Sequence, residues 1–349
     1  MPWSGIYGHD NQRDALWRAY QNNRLGHSYL FVGPEGIGKR LVARQLAKTI
    51  SCETVARQLQ LKSAEPGGTV PEPCGACPTC QQIEAGTYQD LHEVGLPEEK
   101  QEFPIGLMKD LLASLAVKPQ RENARRIAII DDADTFNEES ANCFLKTLEE
   151  PAPQSLLILI GTAAERQLPT IRSRCQVISF QPLPLKDFTA AAVQAEIVPD
   201  PQAAEALFSL AQGSLSRLSL VKEEDLSKIM ADIAKALAAP KFASVAFGTM
   251  LVKFCEAVKE GAVKRQRARF AVECIAQLLQ AALLHAEQGS SPFQSHPEAI
   301  RRLASLTNIE AIPELLEATL EAEYHIDRHF QLALLLEAYA DRLGRILAS

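Results

Sequence analysis

LFVGPEGIGKRLVARQLAKTI (residues 30–50) sets an apolar run against a glycine-rich turn, and the turn opens a stretch of helical periodicity. A buried strand over 28–32 (SYLFV) and a helix over 39–50 put this turn where an α/β protein holds phosphate. There the backbone N–H groups of the loop turn inward, and the helix N-terminus adds a favourable dipole. GPEGIGK fits the pattern G-x-x-x-x-G-K. Gly33, Gly36 and Gly38 supply the turns, and Lys39 would reach the terminal phosphates. The pattern should end in Ser or Thr, whose hydroxyl binds Mg²⁺. Arg40 stands there instead, a permanent cation without an acceptor. The loop therefore lacks the metal ligand that ATP–Mg²⁺ binding calls for.

Outward from this stretch, further short apolar runs alternate with helical ones. Strands are predicted at 89–95, 126–130 (RIAII), 156–160 (LLILI) and 176–180 (QVISF), with a helix at 138–149 stopped by Pro151. That alternation predicts a parallel sheet covered on both faces. RIAIIDDAD (126–134) delivers Asp131 at a strand end, where an α/β nucleotide site keeps its metal carboxylate. Asp132 follows, where a water-activating Glu would be expected. From about Leu185 no strand pattern remains. Residues 186–222 read as a small helical unit and 224–349 as a longer one.

The chain has 349 residues, eight of them cysteines, and a net charge of -7. The acidic balance argues against a protein coated for nucleic acid. The basic groups RRIA (125–128) and VKRQRAR (263–269) read as solvated faces. No apolar run approaches ~18 residues, so no membrane contact is expected. The N-terminus lacks the order of a signal peptide, and a cytoplasmic location follows as the default. Reduced cysteines that cluster point to metal before disulfides. Cys74, Cys77 and Cys80 form C-x-x-C-x-x-C, and Cys52 at the end of the helix after the loop would close a tetrahedral Cys₄ site. Full sulfur coordination makes a structural Zn²⁺ the first reading and an iron–sulfur cluster the second. Residues 53–73 between them look like a surface insertion. Cys143, Cys175, Cys255 and Cys274 read as buried thiols.

In LPTIRSRC (168–175), Arg174 precedes a strand. A lone arginine ordinarily pairs with a local acid. One at such an edge can also leave its own subunit and stabilise charge on a transferring phosphoryl group.

GHSYLFVGPEGIGK (26–39), CGACPTC (74–80), IIDDADTFNEESANCFLKTLEEPAP (129–153), LPTIRSRC (168–175) and GSLSRL (213–218), in this order, resemble the AAA+ subunits of the bacterial DNA polymerase III clamp loader. The resemblance implies a RecA-like AAA+ module over 1–184 with a zinc-binding insertion at about 52–80. A helical lid over 185–223 and an all-α collar over 224–349 would follow. It implies that Arg174 reaches in trans into the ATP site of a neighbouring motor subunit. Thr162 would lie at the sensor 1 position and Arg217 near sensor 2. The motor subunit ends its loop in Lys-Thr or Lys-Ser, so Arg40 sides with the delta-prime type, which lacks ATPase activity of its own. The implied partners are the gamma/tau ATPase and delta subunits in a hetero-pentamer, with the sliding clamp and primed DNA engaged through the complex. The gap of 21 residues between Cys52 and Cys74 is longer than the family pattern suggests. Two other readings stand beside this one. An ATP-hydrolysing motor would use Lys39, Asp131 and Asp132. A zinc-based DNA-binding module is disfavoured by the acidic balance.

Overall fold

The structure, a computed structural model, describes residues 3–61, 70–97, 100, 102–119, 121, 124–221, 224–258, 261–288, 296–305, 311–327 and 331–348. Part of the expected insertion, 62–69, lies outside them. The chain divides into two compact units, residues 1–218 and 219–349.

In the first unit, β1 (Ser28–Val32), β2 (Leu91–Val94), β3 (Arg126–Ile130), β4 (Ser155–Gly161) and β5 (Gln176–Ser179) form one sheet in the order β2-β3-β4-β1-β5. Every pairing is parallel. The strand side chains alternate between two cores, as the period of two requires. Phe31, Ile129, Ile158 and Ile160 point to one face; Leu30, Val32, Ile130, Leu157 and Leu159 point to the other. Burial on both faces is why β1, β3 and β4 read as apolar runs, whereas the edge strands β2 and β5 are half-buried or exposed.

The connecting helices are α1 (Asp10–Gln21), α2 (Lys39–Ser51), α3 (Glu53–Leu61), α4 (Pro78–Glu84), α5 (Ile105–Leu115), α6 (Glu138–Glu149) and α7 (Pro169–Arg172). α2 covers the first face with Val42, Leu46 and Ile50. α5 and α6 cover the second with Met108, Leu111, Phe144 and Leu148. Asn137 caps α6 by accepting the N–H of Ser140 at 2.9 Å. After the sheet come α8 (Leu185–Gln194), α9 (Pro201–Ala211) and α10 (Leu215–Val221). They gather Phe188, Ala192, Ala204 and Leu218 into a small core of their own.

Among its described residues the second unit has helices and no strand: the end of α10, then α11 (Glu224–Ala238), α12 (Ser244–Glu256), α13 (Gly261–Gln288), α14 (Pro297–Ala304), α15 (Ala311–Asp327) and α16 (Leu332–Ala348). One buried polar pair sits where α15 and α16 meet. Thr319 Oγ1 donates to the Leu315 carbonyl at 2.6 Å and lies 2.9 Å from the Tyr339 hydroxyl. No helix among the described residues is long and apolar enough to cross a membrane.

The two basic groups differ from the solvated faces expected of them. Arg126 is buried at the start of β3, 3.5 Å from the fully buried Asp90, and donates to the carbonyls of Ser114 and Lys118. It ties the end of α5 to the sheet edge. Arg267 lies over the Phe254 ring at 5.1 Å and donates to the Phe254 carbonyl. Cys255 and Cys274 are buried as expected, and Cys143 and Cys175 pack partly buried on the second core.

Candidate functional site

The C-terminal ends of β1, β4 and β3 lie side by side, and each carries one of the residues singled out in the sequence. Gly33 follows β1, Thr162 follows β4 and Asp131 follows β3. The Gly33 N–H donates to the Thr162 carbonyl at 3.0 Å, which knits the loop to the neighbouring strand end. Gly33, Gly36 and Gly38 all take positive φ. At these positions a side chain would strain the backbone, as expected of the turns read from the sequence.

Its polar groups are turned to other partners. Lys39 is buried, and its ammonium donates to the carbonyls of Gly33 and Pro34, both at 2.6 Å. Burial pushes its pKa down. Arg40 Nη1 lies 3.6 Å from Asp131 Oδ2, and its Nε lies 4.0 Å from Glu93 Oε1 on β2. One turn on, Arg44 Nε reaches Glu93 Oε2 at 3.3 Å. A guanidinium thus stands beside the carboxylate that would hold a metal. Asp132 adopts a left-handed backbone, φ 56°, and accepts the Leu96 N–H at 3.2 Å. Burial first, and the neighbouring Asp131 second, push its pKa up. Thr162 donates its N–H and its hydroxyl to one oxygen of Asp134, at 2.7 and 2.6 Å, while Gln167 donates to the other.

The segment before α10 closes on the loop. Ser214 Oγ donates to the Glu35 carbonyl at 2.7 Å, and the Leu215 N–H donates to the Gly36 carbonyl at 3.0 Å. A Cβ on Gly36 would lie 1.9 Å from Ser216 Oγ, at φ +70°. Gly36→Ala should therefore cost about 1–3 kcal/mol of stability in chemical denaturation. Adding Ser216→Gly should return part of it. Arg217 donates its N–H to Ser214 Oγ and its Nη1 to Gln212, within its own segment.

These residues do not fit a magnesium-bound nucleotide. The hydroxyl ligand is replaced, a fixed cation faces Asp131, and Lys39 is spent on its own loop. His9 adds to the enclosure: its Nε2 lies 2.6 Å from the Ile37 carbonyl, so that nitrogen carries the proton.

Arg174 lies at the other end of the sheet. Its carbonyl accepts the hydroxyl of Ser28, the first residue of β1, at 2.7 Å. The four residue steps of β1 from Ser28 to Val32 separate it from its own loop by roughly 13 Å. Its side chain is 33% accessible, and its guanidinium pairs with Glu149.

The cysteines form a second site. Cys52, at the end of α2, joins Cys74, Cys77 and Cys80, and the four sulfurs all lie within 4.8 Å of one another. Cys52 and Cys74 are 3.6 Å apart. A Cys₄ tetrahedron with metal–sulfur bonds of about 2.3 Å has edges of about 3.8 Å. Backbone N–H groups of Cys74, Cys77 and Cys80 point at sulfurs at 3.3–3.4 Å, which favours thiolates. A hydrogen bond from Thr54, helped by the N–H groups of Ala76 and Cys77, lowers the Cys74 pKa to about 6. Burial drives the Cys80 thiol the other way. The donor set suits a soft or borderline cation. The long Cys52–Cys74 gap is spanned without loss of the cluster.

Asp134, Glu93, Ser214, His9 and Glu149 were not singled out in the sequence. Asp134 had a visible signal, as the third acid of IIDDAD. The other four become partners only through the fold.

A family model described as DNA polymerase III, delta subunit, matches residues 8–184, just over half of the chain. The chain is 31% identical over 223 residues to DNA polymerase III subunit delta' of Bacillus subtilis (strain 168), covering 63% of this chain and 61% of that protein. It is 33% identical over 207 residues to DNA polymerase III subunit delta' of Pseudomonas aeruginosa, with 58% of each covered. DNA polymerase III subunit tau of Escherichia coli (strain K12) is 31% identical over 218 residues, 61% of this chain and 31% of that protein. The chain thus spans about three-fifths of the delta' relatives and about a third of tau.

Proposed function

The chain belongs to the family described as DNA polymerase III, delta subunit, and from that premise we propose that it is a delta-prime-type subunit of the clamp loader which does not hydrolyse ATP itself. The observation that carries this reading is the Arg40 guanidinium beside Asp131, where a divalent cation would have to lie. In this reading the AAA+ module (1–184), lid (185–223) and collar (224–349) take a place in a hetero-pentamer with gamma/tau ATPase and delta subunits. The complex then loads the sliding clamp onto primed DNA. Arg174 is offered in trans to a neighbour's ATP site. Its place at the sheet end away from its own loop supports this, because it cannot serve both. Thr162 and Arg217 keep the sensor positions, but their partners here are the chain's own Asp134, Ser214 and Gln212.

Cys52, Cys74, Cys77 and Cys80 would hold a structural Zn²⁺. Bound there, the metal supplies a cross-link between the end of α2 and the turn before α4, with no open position for chemistry.

A second reading, an ATP-hydrolysing gamma/tau-like motor, is favoured by the similarity to tau and by the retained Lys39, Asp131 and Asp132. Hydrolysis of Mg²⁺-ATP by the isolated chain separates the two. We expect no turnover above background. Turnover that disappears in Lys39→Ala would establish the motor reading instead.

A further inference from the structure

The side chain of Arg174 is held in one orientation by a residue with no assigned part in the site. Nε and Nη2 both donate to Glu149 Oε1, at 2.9 and 2.5 Å. Nη1 donates to the Thr170 carbonyl at 2.9 Å and lies 3.3 Å from Ser173 Oγ. Two partners from different elements thus fix the guanidinium plane. The backbone is pinned separately: the Arg174 N–H donates to the Ile171 carbonyl, and its own carbonyl accepts from Ser28.

Glu149 occupies a place that helix electrostatics disfavour. It is the last residue of α6, where the unpaired carbonyls carry partial negative charge and a cation such as Lys146 is the suitable neighbour. Pro151 then prevents the helix from continuing. A carboxylate there is repelled by the helix end unless a cation answers it, and Arg174 does. The pair is also exposed enough to be released. The Glu149 side chain is 52% accessible and that of Arg174 33%. Exposed ion pairs are individually weak. A multiply charged phosphate can therefore draw the same fork away through stronger charge-assisted hydrogen bonds.

We propose that Glu149 is a positioning residue for Arg174, holding the guanidinium at the surface in the orientation in which a neighbour's nucleotide phosphate receives it. This rests on the reading of Arg174 as an arginine acting in trans. Glu149 then touches no nucleotide; it reduces the number of orientations that Arg174 must leave before docking.

The test uses the reconstituted loader with Glu149→Ala, Glu149→Gln, Arg174→Ala and the double variant Glu149→Ala/Arg174→Ala. The kcat and KM of DNA-stimulated ATP hydrolysis are measured, with ring assembly and thermal melting as checks on folding. Glu149→Ala should lower kcat on the order of 10-fold with KM little changed. Glu149→Gln should lose less, because its amide oxygen still accepts from Nε. The double variant should match Arg174→Ala, since Glu149 acts only through the arginine. Wild-type or higher kcat in Glu149→Ala while Arg174→Ala has collapsed overturns the positioning role. So does a double variant clearly worse than Arg174→Ala. Full activity in Arg174→Ala strikes the reading beneath, and the positioning role falls with it.

Discussion

Arg174→Ala in the assembled loader is expected to slow ATP hydrolysis at the site it serves on the order of 10³-fold, about 4 kcal/mol of barrier. The magnitude comes from the nature of the contact. Phosphoryl transfer spreads negative charge over the equatorial oxygens, and a guanidinium fork meets two of them at once. Arg174→Lys keeps the charge but loses the planar fork, so it should recover only a minor part of the rate. The chain itself should remain folded in both variants. Its side chain contributes an exposed pair with Glu149, typically worth about 0–1 kcal/mol. The loss would therefore be catalytic rather than structural, read as a fall in kcat in complexes that still assemble. An unchanged rate would remove Arg174 from the mechanism.

Removing the metal should have the second largest effect, and it should be structural. Purified chain is expected to carry about one zinc ion, lost on strong chelation or in Cys80→Ser. The buried core around the cysteines is small: Trp17, Cys52, Val55 and Cys80, with Tyr20, Leu59, Val70 and Cys77 against it. Burial of that much apolar surface contributes only a few kcal/mol. A structural zinc site in a small module is worth on the order of 10 kcal/mol. The metal, more than the packing, should hold this corner. The two tryptophans, Trp3 and Trp17, lie in different cores, and Trp17 is the one in this cluster. In a Trp3→Phe background, chelation should shift Trp17 emission to the red and lower the melting temperature. Zinc-free protein with unchanged emission and melting would show that the thiols pack without a metal.

Much of this was written plainly in the chain, for identifiable reasons. β1, β3 and α6 fall on 28–32, 126–130 and 138–149, the ranges read from the sequence. Each is an apolar or periodic run closed by an unambiguous signal: Gly33, Asp131 and Pro151. Cys74, Cys77 and Cys80 announced their cluster by spacing, whereas the spacing of Cys52 argued the other way and the fold brings it in. α3 and α4 were hidden, because a Gln-, Pro- and Cys-rich insertion shows no clear period of either kind. Arg126 was misread, because a basic run looks the same whether it meets water or a buried Asp90. The deeper gap lies in the pairings. The sequence showed that Arg40 cannot bind magnesium. It could not show that Arg40 lies against Asp131, or that Ser214 reaches back across 179 positions to the Glu35 carbonyl. The first depends on the parallel sheet, which sets the end of β3 beside α2, and the second on the helical segment that packs back over the loop.

The most direct measurement sets Lys39→Ala against Arg174→Ala in otherwise identical reconstituted loaders, scored by DNA-stimulated ATPase and by clamp loading. If the loop has kept its shape and given up its chemistry, Lys39→Ala should run at the wild-type rate while Arg174→Ala collapses. A collapse in Lys39→Ala beside normal activity in Arg174→Ala would contradict the account and make this chain a motor.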